Sequence, residues 1–142
     1  VILQATLNPS GPANRLLRML ESGEGILYLS PQTLTEVEDI LSRPAIREKY
    51  PHLTDRVADS MLNRLKTLAE TVNVIQRYVE YPRDPNDESI LNLAIQQKVD
   101  FLVSRDKDIL DLGQSADFRL LHTTIKVVNP VAVLELLYKQ GV

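Results

Sequence analysis

The strongest constraint on this chain is an alternation: short apolar or β-branched runs, too brief to be helices, separated by stretches whose apolar residues recur every three or four positions. Leu16, Leu17 and Leu20 follow the turn Asn8-Pro9-Ser10-Gly11-Pro12 and predict a helix over about 12–22, ended by Gly23 and Gly25. Ile26-Leu27-Tyr28-Leu29 suits a buried parallel strand. Ser30-Pro31 then supplies an N-cap and a proline at the first helical position, opening a helix over about 31–42 that Pro44 closes. Thr54-Asp55 starts another, whose stripe of Val57, Met61, Leu62, Leu65, Leu68 and Ala69 runs to about residue 70.

The pattern repeats in the second half. Thr71-Val72-Asn73-Val74-Ile75 is β-branched and alternating, hence a strand. A polar connection, 81–88, leads into a helix over about 87–97 with Ile90, Leu91, Ala94 and Ile95 on its apolar side. Phe101-Leu102-Val103 is a buried run, followed by a brief apolar turn at Ile109-Leu110. Phe118-Arg119-Leu120-Leu121 and Lys126-Val127-Val128 read as later strands, and Asn129-Pro130 opens a closing helix over about 130–140. Strands alternating with helices across short links imply right-handed crossovers and a mostly parallel sheet covered on both faces. The expected class is α/β, a three-layer α/β/α sandwich, and 142 residues without an internal repeat fit one domain.

Composition narrows the chemistry. There is no cysteine, which excludes structural disulfides and thiolate zinc sites and fits a reducing cytoplasm. No apolar run approaches the ~20 residues needed to span a bilayer. With 16 basic and 19 acidic residues the net charge is −3, so no global basic field attracts nucleic acid, and an anionic substrate must be met by local cations or metal ions.

In open parallel sheets ligands sit beyond the carboxyl ends of the strands, and the residues the pattern delivers there are mostly acids. Glu36 and Glu38 follow the 26–29 strand, Asp84, Asp87 and Glu88 lie at the start of the 87–97 helix, and Asp106 and Asp108 follow the 101–103 strand. Carboxylates gathered at one edge raise one another's pKa unless cations neutralise them. Hard oxygen ligands without cysteine or paired histidines suit Mg²⁺ or Mn²⁺. Each acid also has a plainer reading: Asp87 and Glu88 as partners of a helix dipole, Asp84 before Pro85 as a turn residue, Asp106-Lys107-Asp108 as a solvated turn. Glu36 and Glu38 both flank the stripe Leu34, Val37, Ile40 and Leu41, and periodicity does not choose between them.

Three stretches, Ser30-Pro31-Gln32-Thr33-Leu34-Thr35-Glu36 to Pro44, Arg83-Asp84-Pro85-Asn86-Asp87-Glu88, and Leu102-Val103-Ser104-Arg105-Asp106-Lys107-Asp108-Ile109-Leu110, together resemble the PIN-domain family. More narrowly they are similar to the PIN-type, VapC-like toxin components of bacterial toxin–antitoxin pairs. The resemblance covers nearly the whole chain in order and implies an α/β/α fold, divalent-metal-dependent cleavage of RNA, and often a homodimer. Position by position it places the family's helix glutamate on Glu36, its central acid on Asp87 with Asp84 beside it, and its last acids on Asp106 and Asp108. Ser104 stands where the family usually has threonine, and Arg105 where this subgroup commonly has glycine. The family's first strand ends in Asp-Thr-Asn, and Val1 resembles the residue directly after it, so the first catalytic aspartate is expected upstream.

The expected mechanism is hydrolysis of a phosphodiester by metal-bound water, with Glu36, Asp87 and Asp106 as catalytic acids and Glu36, Asp84, Asp87, Asp106 and Asp108 as metal ligands. Ser104, Arg105, Lys107 and Arg83 are the candidate substrate contacts. An antitoxin protein would be expected to cover an apolar groove near the helices of about 31–70. Two other readings stand beside this one: a catalytically inactive PIN-like module that binds RNA or protein, and a phosphoacceptor domain, against which no aspartate ends a central strand with a lysine after a later one. His52 and His122 are isolated, which favours surface or loop roles. Tyr78 and Tyr81 offer stacking faces for bases, with loop anchoring the plainer use.

Overall fold

The computed structural model describes residues 2–81, 84–122 and 124–139, and it divides into two compact units, Val1–Val72 and Asn73–Val142. The first unit runs α1 (Ile2–Leu7), α2 (Pro12–Glu21), β1 (Tyr28–Leu29), α3 (Pro31–Ser42), α4 (Pro44–Lys49), α5 (Asp55–Leu68) and β2 (Glu70–Thr71). β1 and β2 pair in parallel, Tyr28 opposite Glu70 and Leu29 opposite Thr71. The ladder continues through Glu70 N–H to Leu27 O (2.8 Å) and Val72 N–H to Leu29 O (2.9 Å).

This unit is held by helix packing more than by its sheet. Ala58, Met61, Leu62 and Leu65 lie on one face of α5 at helical spacing and pack with Leu17, Val37, Leu41 and Leu53. Leu65 is wholly buried and Leu41 nearly so. α3 and α5 begin where the sequence placed them because Ser30 Oγ accepts Thr33 N–H (3.1 Å) and Thr54 Oγ1 accepts Val57 N–H (3.3 Å). Pro44 does close α3, since the residue before a proline is pushed to extended backbone, but it also serves as the first residue of α4.

The second unit contains α6 (Pro85–Gln96), β3 (Phe101–Val103), α7 (Lys107–Gln114), α8 (Ala116–Leu121), β4 (Lys126–Val128) and α9 (Pro130–Lys139). β3 and β4 are parallel, with Phe101, Leu102 and Val103 opposite Lys126, Val127 and Val128. Leu91, Ala94, Leu102, Ile109, Phe118, Ile125 and Val127 form its core. α7 packs tightly on β4 at Gly113, where an added Cβ would collide with that of Val127.

Two expectations are corrected. Phe118-Arg119-Leu120-Leu121 is not a strand but the end of α8, because Ser115 Oγ accepts Phe118 N–H (3.3 Å) and starts a helix there. The strand expected over 71–75 stops at Thr71 in the regular ladder, and the extended chain beyond it is held by side chains of α6 rather than by another strand. Short parallel strands connected through helices in both units make the chain α/β. No helix among the described residues is long and apolar enough to cross a membrane.

Candidate active site

The carboxyl end of β3 carries the most organised acidic group. The β3–β4 ladder is prolonged by Ser104 N–H to Val128 O (2.9 Å), which fixes Ser104 at the strand's end. Ser104 Oγ accepts Asp106 N–H at 3.0 Å. Asp106 is the N-cap of α7: its Oδ1 accepts Asp108 N–H (2.8 Å) and Ile109 N–H (3.4 Å). Oδ2 has no hydrogen bond among the described residues, and the side chain is exposed. A carboxylate anchored through one oxygen leaves the other in a fixed place, where it can accept a proton or hydrogen bond from water or take a share of a cation. Arg105 and Lys107 on either side of it are exposed and in no ion pair among the described residues. Asp108 is half-buried in the first turn of α7.

A second acidic group opens α6. Asp84 precedes the helix, its N–H donating to Tyr81 O (3.3 Å) and its carbonyl accepting Glu88 N–H (3.0 Å). Asp87 is half-buried in the first turn. Glu88 is committed elsewhere: its Oε1 accepts Tyr81 N–H (2.6 Å) and pairs with Arg77 Nη2 (3.2 Å). The Tyr81 amide, and more weakly Arg77, hold its carboxyl below the usual carboxylate range against the opposing effect of burial. Asn92, one turn further on, is 3% exposed; its Oδ1 accepts Tyr78 N–H and Val79 N–H, both at 2.8 Å, and its Nδ2 donates to Val79 O (3.2 Å). Gln96 repeats the device with Gln76 N–H (2.7 Å) and Val74 O (2.9 Å). These anchors are absent from the expectations above, though their spacing of four along α6 was the available signal.

In the first unit, Glu36 is half-buried on α3 while Glu38 is exposed, a distinction periodicity did not give. The Glu36 side chain makes no hydrogen bond or ion pair among the described residues. Arg83 lies outside the described residues. His52 stacks edge-on to Tyr50 and His122 packs against Phe118.

The donor set is all oxygen, the chemistry that hard divalent ions favour. Convergence is a separate matter. Among the described residues no three histidine, aspartate or glutamate side chains lie close enough together to share one ion. Ser104, Asp106 and Asp108 are brought together locally, as are Asp84, Asp87 and Glu88, and the placed residues do not complete a metal site.

Parallel strands with helical crossovers and an anchored aspartate at a strand's carboxyl end define an α/β protein with a polar site at its sheet edge. The PIN domain family matches residues 1–108, and the chain belongs to that family. Its members have a three-layer α/β/α fold, are in general nucleases, and generally use divalent metal ions. The chain is also similar to the uncharacterized protein MJ1680 of Methanocaldococcus jannaschii, with 24% identity over 136 residues, covering 95% of this chain and 85% of that protein. No solved structure matches the chain.

Proposed function

We propose that this chain is a divalent-metal-dependent endoribonuclease, the toxin of a toxin–antitoxin pair, acting on RNA phosphodiesters. Within the PIN family, the observation that supports this best is Asp106, fixed at the end of β3 with one oxygen uncommitted among the described residues and exposed cations on both sides. Arg105 and Lys107 would meet phosphate oxygens on either side of the scissile bond. Asp106, with Asp87 and Asp84 at the start of α6 and Asp108 on α7, supplies oxygen donors. Glu36 carries the role of the family's helix glutamate by its motif position. The ion expected from this donor chemistry is Mg²⁺ or Mn²⁺.

A second reading is favoured by one observation, that no three donors converge among the described residues: a PIN module that binds RNA or a protein partner without cutting. Incubating the full-length protein with RNA, with and without EDTA and with Mg²⁺ or Mn²⁺ restored, separates them. Cleavage that EDTA abolishes and either ion restores supports the nuclease. Binding without cleavage supports the module, and cleavage indifferent to EDTA overturns metal dependence. The toxin role rests on a co-purifying antitoxin that inhibits the cleavage, and the expected homodimer on the mass in solution.

A further inference from the structure

α6 carries Glu88, Asn92 and Gln96 four residues apart, and each takes backbone groups of the segment 74–81 that a neighbouring strand would otherwise take. The strap so formed ends at Tyr81, which is held on both sides, its N–H by Glu88 Oε1 and its carbonyl by Asp84 N–H. Asp84 in turn is tied to the helix through Glu88 N–H. The turn bearing Asp84 and Asp87 is thus closed between a strap and a helix that Glu88 and Asn92 lock together. The two residues are unequal in kind: Asn92 is buried and satisfies two amide N–H groups at once, so its loss takes the shared acceptor from both. Glu88 stands at the turn itself and also gathers Arg77. Gln96 grips the strap at its far end, at Val74 and Gln76.

We propose that Glu88 and Asn92 are positioning residues for the acids Asp84 and Asp87. They fix the register of the strap against α6 and, through Tyr81, the place of the acidic turn. This rests on the reading of Asp87 as an acid of the nuclease site.

The experiment compares Glu88→Ala, Glu88→Gln, Asn92→Ala, Asn92→Asp, Gln96→Ala and Asp87→Asn in the full-length protein, by kcat and KM on RNA and by amide hydrogen exchange without added metal. Glu88→Ala and Asn92→Ala are expected to lower kcat about tenfold with KM within about twofold, the scale of a small misplacement of reacting groups. Glu88→Gln and Asn92→Asp, which keep an acceptor oxygen, recover most of that loss, and Asn92→Asp also serves if Asn92→Ala does not fold. Gln96→Ala loosens the strap far from the acids and leaves kcat near wild type. Exchange at Tyr81 and Glu88 quickens in Glu88→Ala. The inference is overturned if exchange at those amides is unchanged, if kcat holds while they exchange faster, or if Gln96→Ala is as damaging as Glu88→Ala. Wild-type kcat in Asp87→Asn would instead overturn the reading of the site, with the exchange data still reporting what the strap holds.

Discussion

The chain builds two strand-to-helix junctions of one design, β1 to α3 in the first unit and β3 to α7 in the second, and uses them differently. Each runs a short parallel strand into a helix whose N-cap side chain accepts a backbone amide. Ser30 is 3% exposed, its hydroxyl shared between Thr33 N–H and Thr33 Oγ1, and Pro31 follows it. That cap is neutral and buried. At the other, Asp106 caps with one oxygen, keeps the second unengaged among the described residues and stands exposed between Arg105 and Lys107. A serine cap uses its only oxygen on the helix, whereas an aspartate cap can serve the helix and still present a charge. The difference separates a joint from a candidate reactive group.

The comparison breaks first at Asp106. Asparagine there keeps the capping oxygen and removes the charge, so Asp106→Asn is expected to leave the melting temperature nearly unchanged and to lower kcat/KM for RNA by about 100-fold or more, the scale of losing a group that acts on the transition state. A mutant that cleaves normally would make this junction the equal of Ser30. Next is the seat of α7. Gly113 lies against Val127, and Gly113→Ala drives a methyl into that side chain, for an expected loss of about 1–3 kcal/mol by urea unfolding. Removing the flanking cations, Arg105→Ala with Lys107→Ala, should raise KM several-fold and flatten its salt dependence, by about 0.7 in the logarithmic slope for each phosphate of single-stranded RNA no longer neutralised. An unaltered salt slope would show both to be ordinary surface residues.

What could be read from the sequence follows the same division. α2, α3, α5 and α6 were legible because apolar residues recur at helical spacing, with Ser30 and Thr54 as caps at two of the starts. The strands at 101–103 and 126–128 were legible as brief apolar runs between polar turns. Phe118 to Leu121 misled because four residues do not distinguish a buried strand from a helical turn; Ser115, three residues before Phe118, was the cue. The fate of 74–81 was not legible within that segment, since its partners are side chains from 88 to 96; their spacing of four along α6 was the one cue, and only the fold brings the two together. Of the candidate site, the positions of Asp106 and Asp87 at element starts were readable. That Asp106 would double as a cap, and that Glu88 would be committed to the strap, required coordinates.

The smallest effects test whether the neutral junction is merely structural. Ser30→Ala should cost about 1 kcal/mol for the lost cap, equally at every pH because a serine hydroxyl does not titrate, and leave kcat intact. The contrast within the same unit is Glu21, whose Oε1 accepts from Arg64 Nε (2.8 Å) and Nη2, while Arg64 Nη1 reaches Asn14 Oδ1 (2.6 Å). The hydrogen bond from Arg64 lowers the Glu21 pKa against the opposing effect of burial, and the charges of Arg64 and Arg18 add to the lowering. A carboxyl whose folded pKa lies below its unfolded value contributes stability that is complete above the unfolded value, near 4.5, and is lost as pH falls through the folded one. Glu21→Gln should therefore be less stable than wild type at pH 7, by no more than about 0.5 kcal/mol for a pair this exposed, and the gap should shrink as pH falls below the unfolded value of 4.5. Urea midpoints for wild type, Ser30→Ala and Glu21→Gln between pH 3 and 7 decide it. A Ser30→Ala gap that also closes at low pH would mean that the β1–α3 junction is coupled to a charged group, and that its neutrality is not what distinguishes it from the junction at Asp106.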